Sequence, residues 1–201
     1  MTRGIGKFLA STLVAMLGMF AAQASMAAIT GTAHDFSGRG WGSAEVCIFC
    51  HAPHNANGGA PLWNHAPTAA TFTLYSSPSL TTATMAQPAG VSRLCLSCHD
   101  GTVAIDSYAA RTGTTNMTGD ALLGTNLSND HPIGFTYDAG LATADGGLVT
   151  PASTSLVTTN VPLYSGRLEC ASCHNVHDNA LGGFLRRSNA GSGLCLSCHI
   201  K

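Results

Sequence analysis

All eight cysteines of the chain fall in four copies of one five-residue pattern, with none left over: Cys47-Ile-Phe-Cys50-His51, Cys95-Leu-Ser-Cys98-His99, Cys170-Ala-Ser-Cys173-His174 and Cys195-Leu-Ser-Cys198-His199. In C-x-x-C-H, two thiols three residues apart reach the two vinyl groups on one edge of a haem macrocycle, and the adjoining His lies under the iron as its proximal ligand. The pattern predicts four covalently bound haem c groups, with His51, His99, His174 and His199 on the irons. Other uses of paired cysteines fit less well. Zinc ribbons join two Cys-x-x-Cys pairs per metal but have no need of a His after every second Cys. Framework disulfides staple distant segments, whereas here every partner is three residues away. Thioredoxin-like chemistry needs one such pair on a βαβ scaffold.

Haem also resolves an anomaly of composition. Only 9% of the 201 residues are Asp, Glu, Lys or Arg, and 6% are aromatic, against about 25% charged residues in an ordinary soluble domain. Such side chains alone make a thin core, so four macrocycles must form much of the interior. The fold class expected is a multihaem cytochrome c: mostly irregular, with short α-helices at the C-x-x-C-H motifs, little or no β structure and a haem-filled core. The stretches 68–88 and 138–162, rich in Ser, Thr, Gly and Pro, carry the β-branched residues that could pair as minor strands. A net charge of −1 offers no basic surface for nucleic acid or an acidic membrane.

Residues 1–27 read as a signal peptide. Arg3 and Lys7 precede an apolar run from Phe8 to Ala22, and Ser25-Met26-Ala27 supplies small residues at a cleavage site. The run is too short for a membrane span, for which about 20 residues are needed, and residues 28–201 contain no second candidate. Export is therefore expected, to the cell surface or extracellular space, with the periplasm as the alternative.

An internal repeat organises the rest. Cys47 to Asn64 reads C-x-x-C-H-x-x-H-N-A-N-G-G-A-P-L-W-N, and Cys170 to Arg187 reads C-x-x-C-H-x-x-H-D-N-A-L-G-G-F-L-R-R. Each unit closes on L-C-L-S-C-H, at Leu94 to His99 and at Leu194 to His199. The organisation expected is a first dihaem unit, 28–110, and a second, 111–201, within one continuous tetrahaem domain.

Five histidines lie outside the motifs, His34, His54, His65, His131 and His177, and four irons need four distal ligands. His54 and His177 each follow a proximal His by three residues, so on a helical turn their Cβ atoms lie roughly 5–6 Å from it. The porphyrin plane then bars them from the far side of the same iron, and each must serve another haem. On this reasoning His54 goes to the haem of Cys95 and Cys98, and His177 to that of Cys195 and Cys198. The other two are closed from His34, His65 and His131, with the repeat favouring His34 and His131. His65, which has no counterpart in the second unit, is either a ligand or a surface or propionate-contacting residue. Only Met85 and Met117 of residues 28–201 could replace histidine, and neither sits at a repeat position.

The strings Cys-His-Ala-Pro-His-Asn-Ala (50–56), Pro-Leu-Trp-Asn-His (61–65), Leu-Cys-Leu-Ser-Cys-His-Asp-Gly-Thr-Val-Ala (94–104) and Leu-Ser-Asn-Asp-His-Pro-Ile (127–133) resemble multihaem c-type cytochromes with doubled C-x-x-C-H motifs. With four haems in a small exported chain, the protein is also similar to the tetrahaem outer-membrane cytochromes that polymerise into extracellular filaments, the OmcE type. That resemblance implies that a histidine of one subunit can close a haem of the next, and His34 or His65 is the residue expected to do so. The expected function is electron transfer through closely spaced bis-histidine haems, as a filament subunit or as a soluble periplasmic shuttle. Partners would be other copies of the chain and redox proteins or extracellular acceptors. No enzyme is expected: haem catalysis, such as nitrogen-oxide reduction, needs an open iron and nearby proton donors, whereas histidines are in surplus and acids are sparse.

Overall fold

A computed structural model of the chain describes residues 29–57, 61–81, 85–151 and 160–200; the expected signal peptide lies outside them. Among the described residues regular structure is confined to three short helices and three 3-10 turns, with β pairing only as isolated bridges. Helix α1 is Gly90–His99, α2 is Ala139–Asp145 and α3 is Cys170–Cys173. No described helix is long and apolar enough to cross a membrane. The mostly irregular architecture with short helices agrees with the expectation from composition.

Three of the four motifs sit on helical turns. The second occupies the end of α1, the third is α3, and the fourth begins a 3-10 turn, Cys195–Ser197. The first is a run of turns, yet it closes on the same bond: the N–H of the motif His donates to the carbonyl of the first Cys at 2.8 Å in His51, 3.0 Å in His174 and 2.9 Å in His199. That single helical turn is what places both thiols and the imidazole on one side of the backbone. The residue before the second Cys is buried in all four motifs, as Phe49, Ser97, Ser172 and Ser197.

Of the stretch 138–162, residues 152–159 lie outside the described ones, and the described part opens on a helix. In place of a strand, the segment opens with α2, because Asp138 caps it by accepting the Leu141 N–H at 2.8 Å, and Gly146 ends it in the left-handed region at φ 71°. In 68–88 the described pairing is a single parallel bridge from Thr73 to Asn126. The chain does make one tight reversal, at Ser165 and Gly166, both at positive φ. There Tyr164 and Arg167 exchange backbone hydrogen bonds of 2.9 and 3.0 Å, the geometry of a two-residue hairpin turn. It delivers Leu168 and Glu169 into the interior, immediately ahead of α3.

Protein side chains fill the interior only in small patches. Phe135, Tyr137, Val161 and Leu168 form one cluster, and Phe72, Leu96 and Leu127 another. A third is aromatic: Phe49 meets Phe36 at 5.8 Å, Trp41 at 6.1 Å and Tyr108 at 4.8 Å between ring centroids. The Trp41 carbonyl accepts from the Tyr108 hydroxyl at 2.6 Å and from the Arg111 guanidinium. The segment 29–50 is thereby fastened to its own chain.

Candidate functional site

The sequence repeat is a repeat of conformation. After the first motif, Ala52 N–H donates to Leu62 O at 2.9 Å and Asn64 N–H to Cys50 O at 2.9 Å; after the third, Asn175 N–H donates to Phe184 O at 2.7 Å and Arg186 N–H to Cys173 O at 2.9 Å. Leu62 and Phe184 hold matching left-handed conformations, φ 57° and 56°. Each loop aims a carbonyl at the proximal imidazole: Pro61 O lies 2.8 Å from His51 Nδ1, and Gly183 O lies 2.8 Å from His174 Nδ1. His99 Nδ1 finds Ala121 O at 2.7 Å. A carbonyl can only accept, so Nδ1 carries the proton and Nε2 keeps its lone pair for a metal.

Three pairs of rings face one another. His34 and His99 have centroids 6.1 Å apart, His51 and His177 6.1 Å, and His131 and His199 6.3 Å. Two imidazoles on opposite sides of one metal, each with a metal–nitrogen bond of about 2.0–2.1 Å, would have centroids about 6.3 Å apart. Each pair joins one motif His to one His outside the motifs. Burial lowers the pKa of His34, to about 4, with the neighbouring His99, His177 and His174 adding to the effect. Burial also lowers those of His131 and His177. At neutral pH these imidazoles are held in the uncharged form that ligation requires. His34 further has a buried Nδ1 with no hydrogen-bond partner.

The surroundings fit a flat apolar group. A cavity of about 500 Å³ opens beside Cys195, Cys198, His131 and His199, walled by Phe135, Leu141, Leu148, Val161, Leu168 and Leu194. A second, of about 240 Å³, opens beside Cys170, Cys173 and His174. His131 and Pro132 line both. Burial pushes the thiols of Cys50 and Cys198 up to about 11 and that of Cys98 up to about 12, the last with help from Cys50 and Asp100. Dithiol redox enzymes depend on the opposite shift. No group of three or more His, Cys, Asp or Glu side chains among the described residues forms an ion cage. The residues present thus fit haem c held by the cysteine pairs, with histidines above and below.

The pairing differs from the one the repeat suggests. His177 faces His51 of the first motif, not the fourth, because the loop 170–187 lies against the loop 47–64. His34 faces His99 of the second motif, because the fastened segment 29–50 lays it at the end of α1 and against Phe184, 4.5 Å away. His131 faces His199 of the fourth. Gly134 and Phe135 hydrogen-bond to Leu168 there, while Leu148 bridges to His199 and Val149 donates to Cys198 O. The premise of a shared helical turn also fails, since His174 is extended, with φ −113° and ψ 138°. His177 nonetheless faces a proximal His other than its neighbour.

His65 stands apart. It is only 2% exposed, so it is no surface residue. Its Nδ1 lies 2.8 Å from Ala66 O, and its Nε2 lies 3.0 Å from Ala104 O and 3.4 Å from Cys98 Sγ. An uncharged imidazole carries one proton, so only one of the two carbonyls can accept from it at a time. His54 is exposed, with Nδ1 3.1 Å from Asn55 Nδ2. Among the described residues, neither His54 nor His174 enters a facing pair of histidines.

The family of the doubled CXXCH motif matches residues 162–201, the stretch holding the third and fourth motifs. No curated protein matches the chain. The family match supports a multihaem c-type cytochrome that binds haem covalently through its C-x-x-C-H motifs and transfers electrons.

Proposed function

We propose that the protein is a tetrahaem cytochrome that conducts electrons through closely spaced bis-histidine haems as the subunit of an extracellular filament similar to the OmcE type, and that it is not an enzyme. When bound, haem supplies a reversible one-electron ferrous/ferric couple. The chain's residues do the rest. Eight cysteines hold the groups, the carbonyls of Pro61, Ala121 and Gly183 orient three proximal imidazoles, and histidines outside the motifs close the far sides. Two histidines on every iron leave no position for substrate, which favours transfer over catalysis.

The observation that carries this reading is the three facing pairs together with the three histidines left over, His54, His65 and His174. His34 and His65, the expected donors to a neighbouring copy, are both engaged within the chain. His54, exposed beside a loop whose twin places His177 on an iron, takes over that role: it is the group offered to the His174 iron of the next copy. A contact that runs head to tail without closing builds an open filament. The export expected from residues 1–27 supplies the setting.

One observation favours a second reading, the soluble periplasmic shuttle: the fastened segment 29–50 leaves no free arm to exchange between copies. Purified holoprotein decides between them. Intact mass should give four haems per chain, electron paramagnetic resonance should be low-spin throughout, and electron microscopy should reveal filaments that His54→Ala disperses. Monomers with four six-coordinate irons would establish the shuttle instead. A high-spin iron that binds carbon monoxide rapidly in the native assembly would favour catalysis.

A further inference from the structure

The two dihaem units meet where α1 packs against α3. Ser92, one turn before Cys95, has no exposed surface. Its hydroxyl donates to the Glu169 carboxylate and accepts the Cys170 N–H at 3.0 Å. Glu169 is 3% exposed, pairs with Arg167 Nε at 3.3 Å and sends its own N–H to Ser172 Oγ at 3.0 Å. Across the same contact Cys95 of α1 and Cys170 of α3 are near neighbours, close enough for each thiol to perturb the other. These cysteines belong to different units and serve different groups. A carboxylate this deeply buried is costly unless paired, and Ala would serve the interior of α1 better than Ser. The network is therefore spent on fixing α1 against α3.

We propose that Ser92 and Glu169 are positioning residues that set the electron crossing between the two units, by holding the attachment edge at Cys95 against the attachment edge at Cys170. The inference rests on reading the four motifs as haem sites. One electron crosses: the iron of one motif goes from ferrous to ferric while the iron of the other goes from ferric to ferrous, and no proton or co-reactant is required. Glu169 has a second effect there. Its negative charge, in a low-dielectric interior, favours the more positive ferric state at the two adjoining irons and lowers both their potentials.

Glu169→Gln keeps an acceptor for Ser92 and removes the charge. In the holoprotein, a potentiometric titration followed by absorption and paramagnetic resonance should show two of four midpoint potentials rising, those of the groups on Cys95/Cys98 and Cys170/Cys173. Ser92→Ala leaves the charge and loosens the clamp. After pulse reduction, electron redistribution between the units should slow several-fold, while the bis-histidine spectrum stays unchanged. A protein that carries four haems but shows no shift, a uniform shift or a shift of one group alone in the first variant overturns the proposal. Unchanged redistribution in the second does so too, and the second decides if the first fails to mature. Fewer than four haems on the unsubstituted protein would instead refute the tetrahaem reading.

Discussion

The loops 47–64 and 170–187 share a motif, a hydrogen-bond pattern and a left-handed residue at the same place, yet their second histidines end differently. Both are exposed, but the His177 ring lies 6.1 Å from that of His51, whereas His54 enters no histidine pair among the described residues. Local sequence sets the conformation of each copy, and the docking of one loop on the other decides which histidine finds a partner within the chain. A repeat that looks symmetric in sequence therefore yields one histidine paired within the chain and one that is not. On the filament reading, the unpaired copy is the group left to reach the next subunit.

The largest effect that can break this comparison comes from the paired member. His177→Ala should leave the iron of Cys47 and Cys50 without its distal ligand, turning one haem in four high-spin by paramagnetic resonance and lowering the unfolding temperature. His54→Ala should leave the fold and unfolding temperature of the isolated chain unchanged and act only on assembly and on the His174 iron. Equal loss of stability in the two variants would mean that the two histidines play one role.

Acid sharpens the contrast between paired and unpaired histidines. The pKa values of His34, His131 and His177 are lowered in the folded protein, in each case chiefly by burial. As pH falls below the ordinary histidine value of about 6.5, the unfolded chain takes protons that the folded chain refuses. Stability therefore falls with pH. For His34 the decline runs from about 6.5 to about 4, where the folded imidazole itself titrates. Denaturant midpoints measured across that window should drop steadily, and His34→Phe should flatten the slope.

How much of this was legible in the sequence follows from what kind of contact each feature uses. The attachment cysteines, the proximal histidines and the two-loop repeat are local, and they read directly. The facing pairs do not, because His34 reaches His99, and His177 reaches His51, only through the packing of separate segments. His65 shows the same limit: its spacing suits a ligand, but it is buried beside the carbonyls of Ala66 and Ala104, and a backbone acceptor leaves no mark in a sequence. Ser92 and Glu169 were missed because they lie 77 residues apart. The only signal was Glu169 standing next to Cys170 in a chain so poor in acids. Two local features were misread: the helix over 139–145, although Asp138 and Gly146 bracket it, and the extended backbone at His174.

A smaller effect tests why His34 stays within its own chain. Tyr108→Phe removes the 2.6 Å hydrogen bond to Trp41 O and keeps the aromatic packing on Phe49. A hydrogen bond of this kind contributes about 1 kcal/mol. Limited proteolysis should cut 29–50 faster in the variant, and the spectrum of the His34–His99 site should become more sensitive to denaturant than those of the other sites.

The smallest expected effect lies at α2, which carries no motif. Asp138 accepts the Leu141 N–H at the first turn, and loss of such a cap costs about 1 kcal/mol. Leu141 lies on the wall of the cavity beside Cys195 and Cys198, so fraying α2 loosens packing there without touching a ligand. Asp138→Ala should lower the unfolding midpoint slightly and leave the haem count, the low-spin spectrum and assembly unaltered. A change of spin state would show that α2 also governs which histidines meet.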